Sequence, residues 1–134
     1  STKAFIYDLF TNITQIDNDE YKLHSQSLQY VWIQGIITNT STIIDDNNNY
    51  TKSYVIDDGT ASISVRTQFD KIFDSGKYVL LSIGDYVLVS GLLTLAVLFE
   101  NNKVVPKFLE VHTISLIDDS NLEILWILEN IYRI

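Results

Sequence analysis

The chain contains no cysteine, which removes disulfides, a thiolate nucleophile and thiolate metal sites together and fits an intracellular compartment. Positive charge is scarce too. Nine Lys and Arg face 17 Asp and Glu, a formal net charge of −8, and the nine are spread thinly, with no cluster denser than Lys71 and Lys77. Affinity for nucleic acid comes largely from neutralising phosphates, so DNA binding by this chain alone is disfavoured. The five glycines are scattered as bends and turns and build no phosphate loop. No long apolar run is uninterrupted: VLLSIGDYVLVSGLLTLAVLF is broken by Gly84, Asp85, Ser90 and Gly91, which reads as strands and not as a membrane span. A soluble protein is expected.

Catalytic groupings are missing as well. His24 falls in a polar connection and His112 in a strand, neither with a neighbouring carboxylate pattern that would make it a base or a ligand. Asp57-Asp58-Gly59-Thr60 lacks the further ligands and the closing glutamate of a calcium loop and reads as a hairpin turn. The expectation is a protein that is no enzyme and carries no cofactor. The sequons at Asn12, Asn39 and Asn49 read as chance in an Asn- and Thr-rich chain. The sequence opens on Ser1, which leaves room for a trimmed initiator or targeting segment.

What the chain does have is 134 residues, 46% of them apolar, enough for the core of a single domain spanning residues 1–134. TKAFIYDLFTNI places Phe5, Ile6, Leu9, Phe10 and Ile13 at helical spacing behind Thr2 as a cap. QIDNDEYKLHSQS reads as a surface connection. From Tyr30, YVWIQGIITNT is rich in β-branched and aromatic residues, with Gly35 as a bulge. DDNNN marks a loop tip. SYVIDDGTASISVR gives two strands joined at Asp58-Gly59, with Ala61, Ile63 and Val65 inward and Ser62, Ser64 and Arg66 outward. TQFDKIFDSGKY is expected to hold a helical turn ending at Gly76. DYVLVSGLLTLAVLF supplies a long strand bent at Gly91, a turn follows at Glu100-Asn101-Asn102, and KVVPKFLEVHTISLI closes the set, Pro106 marking an edge or a bulge. Asp118, Asp119 or Ser120 caps a terminal helix.

This order predicts an all-β fold with flanking helices: a five-stranded Greek-key barrel of the OB type over about residues 30–117, an N-terminal helix, and a C-terminal interaction helix over about 119–133. A sandwich or an SH3-like barrel is the competing architecture.

The terminal stretch NLEILWILENIYRI carries the functional question. At 100° per residue, Ile134, Ile127, Ile131, Ile124, Leu128, Tyr132 and Leu125 cover about half the cylinder. Leu122 and Trp126 form a second ridge among Glu123, Glu129, Asn130 and Arg133. One contact with one barrel needs a stripe of somewhat over 100°, so the surplus calls for a partner, with Leu122, Ile124, Leu125, Trp126, Leu128 and Tyr132 as the interface. The competing reading wraps the helix with the N-terminal helix and the 67–82 connector. A homodimer through the same helix would also satisfy it. For single-stranded nucleic acid, the outward Ser62, Ser64 and Arg66 make a poor stacking surface, and Trp32, Tyr54 and Arg66 are the candidates for a secondary contact.

VWIQGII, YVIDDGTASISV, GDYVLVSGLL and the Trp-bearing closing helix resemble the OB subunits of genome-maintenance complexes. The IDDGT hairpin is similar to the middle subunit of replication protein A and its telomere-capping relatives. The amphipathic helix before YKL, VWIQG with Trp32, the GKYV and GDYV strand entries, and LEILWILENIYRI resemble the small subunit of the RecQ-mediated genome instability (Rmi) heterodimer. That second resemblance implies a nuclear scaffold with one OB domain, no catalysis and little DNA affinity. Its partner would be the larger OB-fold subunit and, through it, a RecQ helicase and topoisomerase III that dissolve double Holliday junctions. The Asn-rich loop at 45–49 and the acidic balance depart from that family, which puts any loop-borne docking site in doubt.

Overall fold

The computed structural model describes residues 2–11, 13–17, 20–23, 26–27, 30–44, 46–68, 71–74, 77–97, 104–118 and 120–132. In chain order the strands are β1 (Thr2–Lys3), β2 (Ile13–Asp17), β3 (Glu20–Leu23), β4 (Gln26–Ser27), β5 (Tyr30–Ile44), β6 (Tyr50–Asp57), β7 (Ser62–Thr67), β8 (Lys71–Asp74), β9 (Lys77–Leu80), β10 (Tyr86–Val97) and β11 (Val104–Leu116). Helix α1 spans Ile6–Thr11 and α2 spans Ser120–Tyr132.

Five of these strands close a barrel in the order β5-β10-β11-β7-β6, with β6 returning to β5. All neighbours are antiparallel except β7 and β11, which run parallel through Val65 opposite Leu109 and Arg66 opposite Glu110. This is the OB topology the strand pattern predicts. Alternation fixes which residues fill it: Val31, Ile33 and Ile37 of β5, Tyr54 and Ile56 of β6, Ile63 and Val65 of β7, Val87 and Val89 of β10 and Leu109 of β11 are all buried in one core. Helix α1 packs against β7 and β11 and contributes Ile6 and Leu9 to that core.

The long strands bend where the backbone comes closest. A Cβ on Gly91 would lie 2.0 Å from the Glu110 carbonyl oxygen, and the β10–β11 register shifts between Ser90 and Gly91. A second shift between Thr94 and Leu95 sits opposite Pro106, where the ring's missing N–H costs no ladder bond. Gly35 is not a bulge, as the sequence suggested. It lies in the ladder opposite Val87, so close to β6 that a Cβ there would come 2.5 Å from the Asp57 oxygen, and the bulge falls between Ile37 and Asn39 instead.

The hairpin turn after β6 does more than reverse the chain. Gly59 takes a φ of +88°, while Asp58 Oδ1 accepts from the amides of Thr60 (2.9 Å) and Ala61 (3.2 Å). Its other oxygen, Oδ2, accepts the Ile6 amide at 2.8 Å, and Thr60 Oγ1 accepts the Tyr7 amide at 3.1 Å. The turn therefore caps α1 across the molecule. Thr2, expected as that cap, instead pairs with β5 as part of β1, opposite Val31. Helix α1 starts only at Ile6, where the Asp58 carboxylate meets it.

Two segments depart from the sequence reading. The polar stretch after α1 forms a three-stranded antiparallel sheet, β2-β3-β4, because a polar stretch can still satisfy its backbone groups by pairing them in a ladder. The segment expected to hold a helical turn is the β8–β9 hairpin, with Phe73 opposite Tyr78 and Asp74 opposite Lys77. Its Ile, Phe, Tyr and Val favour a strand over a helical turn. His24, Gly76, the Glu100–Asn102 turn, Asp119, Arg133 and Ile134 lie outside the described residues.

Candidate protein interface on the terminal helix

Helix α2 lies over the barrel wall made by β1, β5 and β10, and the face it turns inward is its less apolar one. Trp126 is 6% exposed and Asn130 4%, with Glu123 and Glu129 half-buried on either side. Asn130 Nδ2 donates to the Trp126 carbonyl at 3.0 Å, and Lys3 of β1 forms an ion pair with Glu129. Trp32 of β5 and Leu88 of β10 lie beneath, where together with Leu122, Leu125 and Trp126 they line a cavity of about 240 Å³.

This reverses part of the sequence expectation. The wheel leaves the Trp126 ridge without a partner in the chain; in the structure it is the ridge that docks on the barrel. The reason lies in what the barrel offers: the indole spans a wall carrying Gln34 and Trp32, which a flat aromatic covers better than branched aliphatics do. Tyr54, a candidate secondary contact, is fully buried in the barrel, because residues 54 and 56 take the inward positions of β6. Trp32 is half-buried beneath α2, and Arg66 is half-buried on the barrel's outside. There its guanidinium lies 4.1 Å from the Phe108 ring centroid, beside a groove of about 410 Å³ shared with Thr51, Gln68 and Glu110.

The surplus apolar arc, by contrast, is real and faces outward. Ile124, Leu125, Ile127, Leu128, Ile131 and Tyr132 are 41% to 71% exposed. At 100° per residue they cover about 160° of the helix, with no polar residue among them from Leu122 to Tyr132. Neither α1, which closes the barrel at β7 and β11, nor the β8–β9 hairpin, which packs on β11, covers this arc. A contiguous aliphatic face on a helix that already spends its polar side on its own barrel is the composition of a protein interface.

A second feature lies under the N-terminal half of α2. Phe5, Ile36, Trp126 and Ile127 line a cavity of about 340 Å³ together with Asp57, Asp58 and Glu123. Tyr86 also lines it; burial, reinforced by the Glu123 and Asp58 carboxylates, pushes its phenol up to about 12, and the neighbouring Gln34 amide offsets this only partly. No local pattern points to this cavity, since its residues come from four elements and two loops. Among the described residues, no group of three His, Asp or Glu is placed to hold a metal ion.

No family profile matches the chain, and no curated protein matches it either. Solved structures do. A chain of the S. pombe Stn1–Ten1 complex is similar over 98% of this chain and 89% of its own, at 16% identity and a TM-score of 0.68. A chain of a replication protein A heterotrimer bound to single-stranded DNA is similar over 99% and 95%, at 20% identity and a TM-score of 0.69. A chain of yeast replication protein A bound to single-stranded DNA is similar over 96% and 84%, at 26% identity and a TM-score of 0.61. The architecture of the chain, a closed five-stranded barrel with a helix at each end, is the OB fold that these subunits share.

Proposed function

We propose that the chain is a non-catalytic scaffold subunit of a DNA-maintenance complex, joined to a second OB-fold subunit through the outward face of α2. The observation that carries this reading is the placement of Ile124, Leu128 and Ile131 on the side of α2 away from the barrel, each at least 41% exposed. It is supported by the similar structures, which come from the Stn1–Ten1 complex and from a replication protein A heterotrimer. Within that reading, the resemblance of VWIQG and LEILWILENIYRI assigns the chain to the small subunit of the RecQ-mediated genome instability pair. Its partner is then the larger OB-fold subunit, which brings a RecQ helicase and topoisomerase III, in the nucleus.

The interface set is Leu122, Ile124, Leu125, Leu128 and Tyr132, with Trp126 as the residue that holds the helix in place for it. Leu128→Glu places a carboxylate against the partner's apolar surface and is expected to weaken the pair by about 3 kcal/mol, more than a hundredfold in Kd, while leaving the free subunit folded. Retention of the partner by Leu128→Glu at wild-type strength overturns the reading. Sedimentation of the chain alone tests the homodimer.

One observation favours a second reading, a single-strand-binding subunit like those of replication protein A. Arg66 stacked beside Phe108 along an open groove offers one base platform. Titration against an oligonucleotide at several salt concentrations separates the two: a scaffold shows negligible affinity, a binder shows tight association that falls steeply with salt.

A further inference from the structure

We infer that α2 is a latch with an opening equilibrium of its own: in the free chain it lifts off the barrel as one unit while the barrel stays folded. The opening does not depend on the reading of α2 as the partner face. Its consequence does rest on that reading, since a partner that covers α2 adds its interface energy to the docked state alone and fixes the latch.

The barrel is complete without α2. Among the described residues, neither its core nor the half-buried side chains packed on that core, such as Leu93, Val111 and Ile114, include a residue of α2. Helix α1 has only six residues and places Ile6 and Leu9 in the core, whereas α2 has 13 and places none there. A helix of that length is marginal when it stands alone in water. Whatever holds α2 in place must therefore come from its docking contact.

That contact is narrow. Trp126 is the single buried hydrophobic side chain among the described residues of α2, and it lines two cavities, of about 340 and 240 Å³, so part of the ring has no atoms packed on it. Its Nε1 is buried without an acceptor, a cost that water removes once the helix lifts. The Lys3–Glu129 ion pair ties α2 to β1 through a lysine side chain that is 47% exposed, where such pairs contribute little. Glu123 of α2 lines the larger cavity with Asp57 and Asp58 of the β6–β7 turn, and no described lining residue is basic, so like charges meet across the seam and oppose docking. The aliphatic arc is exposed even in the docked helix and does nothing to hold it down.

Native-state hydrogen exchange on the full chain alone, repeated at increasing urea, tests the latch. The expected result is that the amides of Leu125 to Asn130 share one opening, exchange about a hundredfold faster than the amides of β5 and β10 once intrinsic rates are removed, and depend less steeply on urea. A lock separates lifting from fraying. Because the chain has no cysteine, Lys3→Cys with Glu129→Cys, joined by a short bismaleimide, ties α2 to β1 where the two side chains already meet. Linking is expected to slow α2 exchange at least about tenfold relative to the same double variant left unlinked. Both tryptophans of the chain lie at this contact, so quenching of their fluorescence by acrylamide is expected to fall with the link. Exchange of α2 at the rate and urea slope of the barrel, or α2 exchange and quenching that the link leaves unchanged, overturns the latch. Neither outcome involves a partner, so the loss of partner in Leu128→Glu judges the proposed interface separately.

Discussion

Truncating Trp126 to alanine tests whether the terminal helix is held by the ridge the structure assigns to it. In a close-packed core such a change costs about 3–5 kcal/mol, the lost burial of the ring plus the cavity left behind. Two features lower that figure here. The ring is flanked by cavities of about 340 and 240 Å³, so part of its surface has no atoms against it, and its Nε1 is already buried without an acceptor, a penalty of about 1–3 kcal/mol that truncation relieves. The expected net loss is about 2 kcal/mol. Urea unfolding followed by circular dichroism reads this as a midpoint lowered by about 1 M at unchanged m, for an m near 2 kcal/mol/M. Trp126→Phe keeps most of the contact and removes the unpaired N–H, so its loss stays under about 1 kcal/mol. A Trp126→Ala protein that unfolds at the wild-type midpoint refutes the argument, because the ring would then not be packed on the barrel at all.

Three further outcomes follow from the same geometry. Asp58→Ala removes the acceptor for the Ile6, Thr60 and Ala61 amides and is expected to lower stability by about 2 kcal/mol, with hydrogen exchange at the start of α1 rising most. Gly91→Ala drives a methyl group to within 2.0 Å of the Glu110 carbonyl, and a loss of about 3 kcal/mol in chemical denaturation is expected. The Tyr86 phenol titrates near 12 when folded against 10 when unfolded, so the folded state binds its proton more tightly. Its contribution is complete below pH 10 and is lost as the pH rises from 10 towards 12; denaturation midpoints across that window should fall less steeply in Tyr86→Phe.

The barrel was legible in the sequence because alternation is a strong signal in half-buried strands. Ile63 and Val65 against Ser62 and Ser64, and Gly91 within DYVLVSGLLTLAVLF, each state a face or a bend locally. The small sheets were not. The stretches that form β2, β3, β8 and β9 are too polar or too short to show a period, and what defines them is their backbone pairing. The trans cap of α1 was invisible for another reason: Asp58 lies 52 residues from Ile6, and nothing in the helix's own sequence points to it. At α2 the breadth of the apolar arc was readable, but its direction was not. A helical wheel gives the faces of a helix without saying which one the barrel takes, and here the Trp126 side won because Lys3, Gln34 and Trp32 await it on the barrel wall. The acidic cavity, assembled from residues as distant as Phe5 and Ile127, has no sequence signature at all.

Hydrogen–deuterium exchange, measured on the chain alone and again within its native complex, addresses the central claim most directly. Covering six aliphatic and aromatic side chains that stand about half exposed is worth about 1 kcal/mol each by area, ample to slow the opening of a short terminal helix. The account predicts that protection on assembly is gained chiefly over residues 122–132, with β7 and β11 little changed. Protection gained instead on the Arg66 and Phe108 side of the barrel, with α2 exchanging as fast as in the free chain, would contradict it.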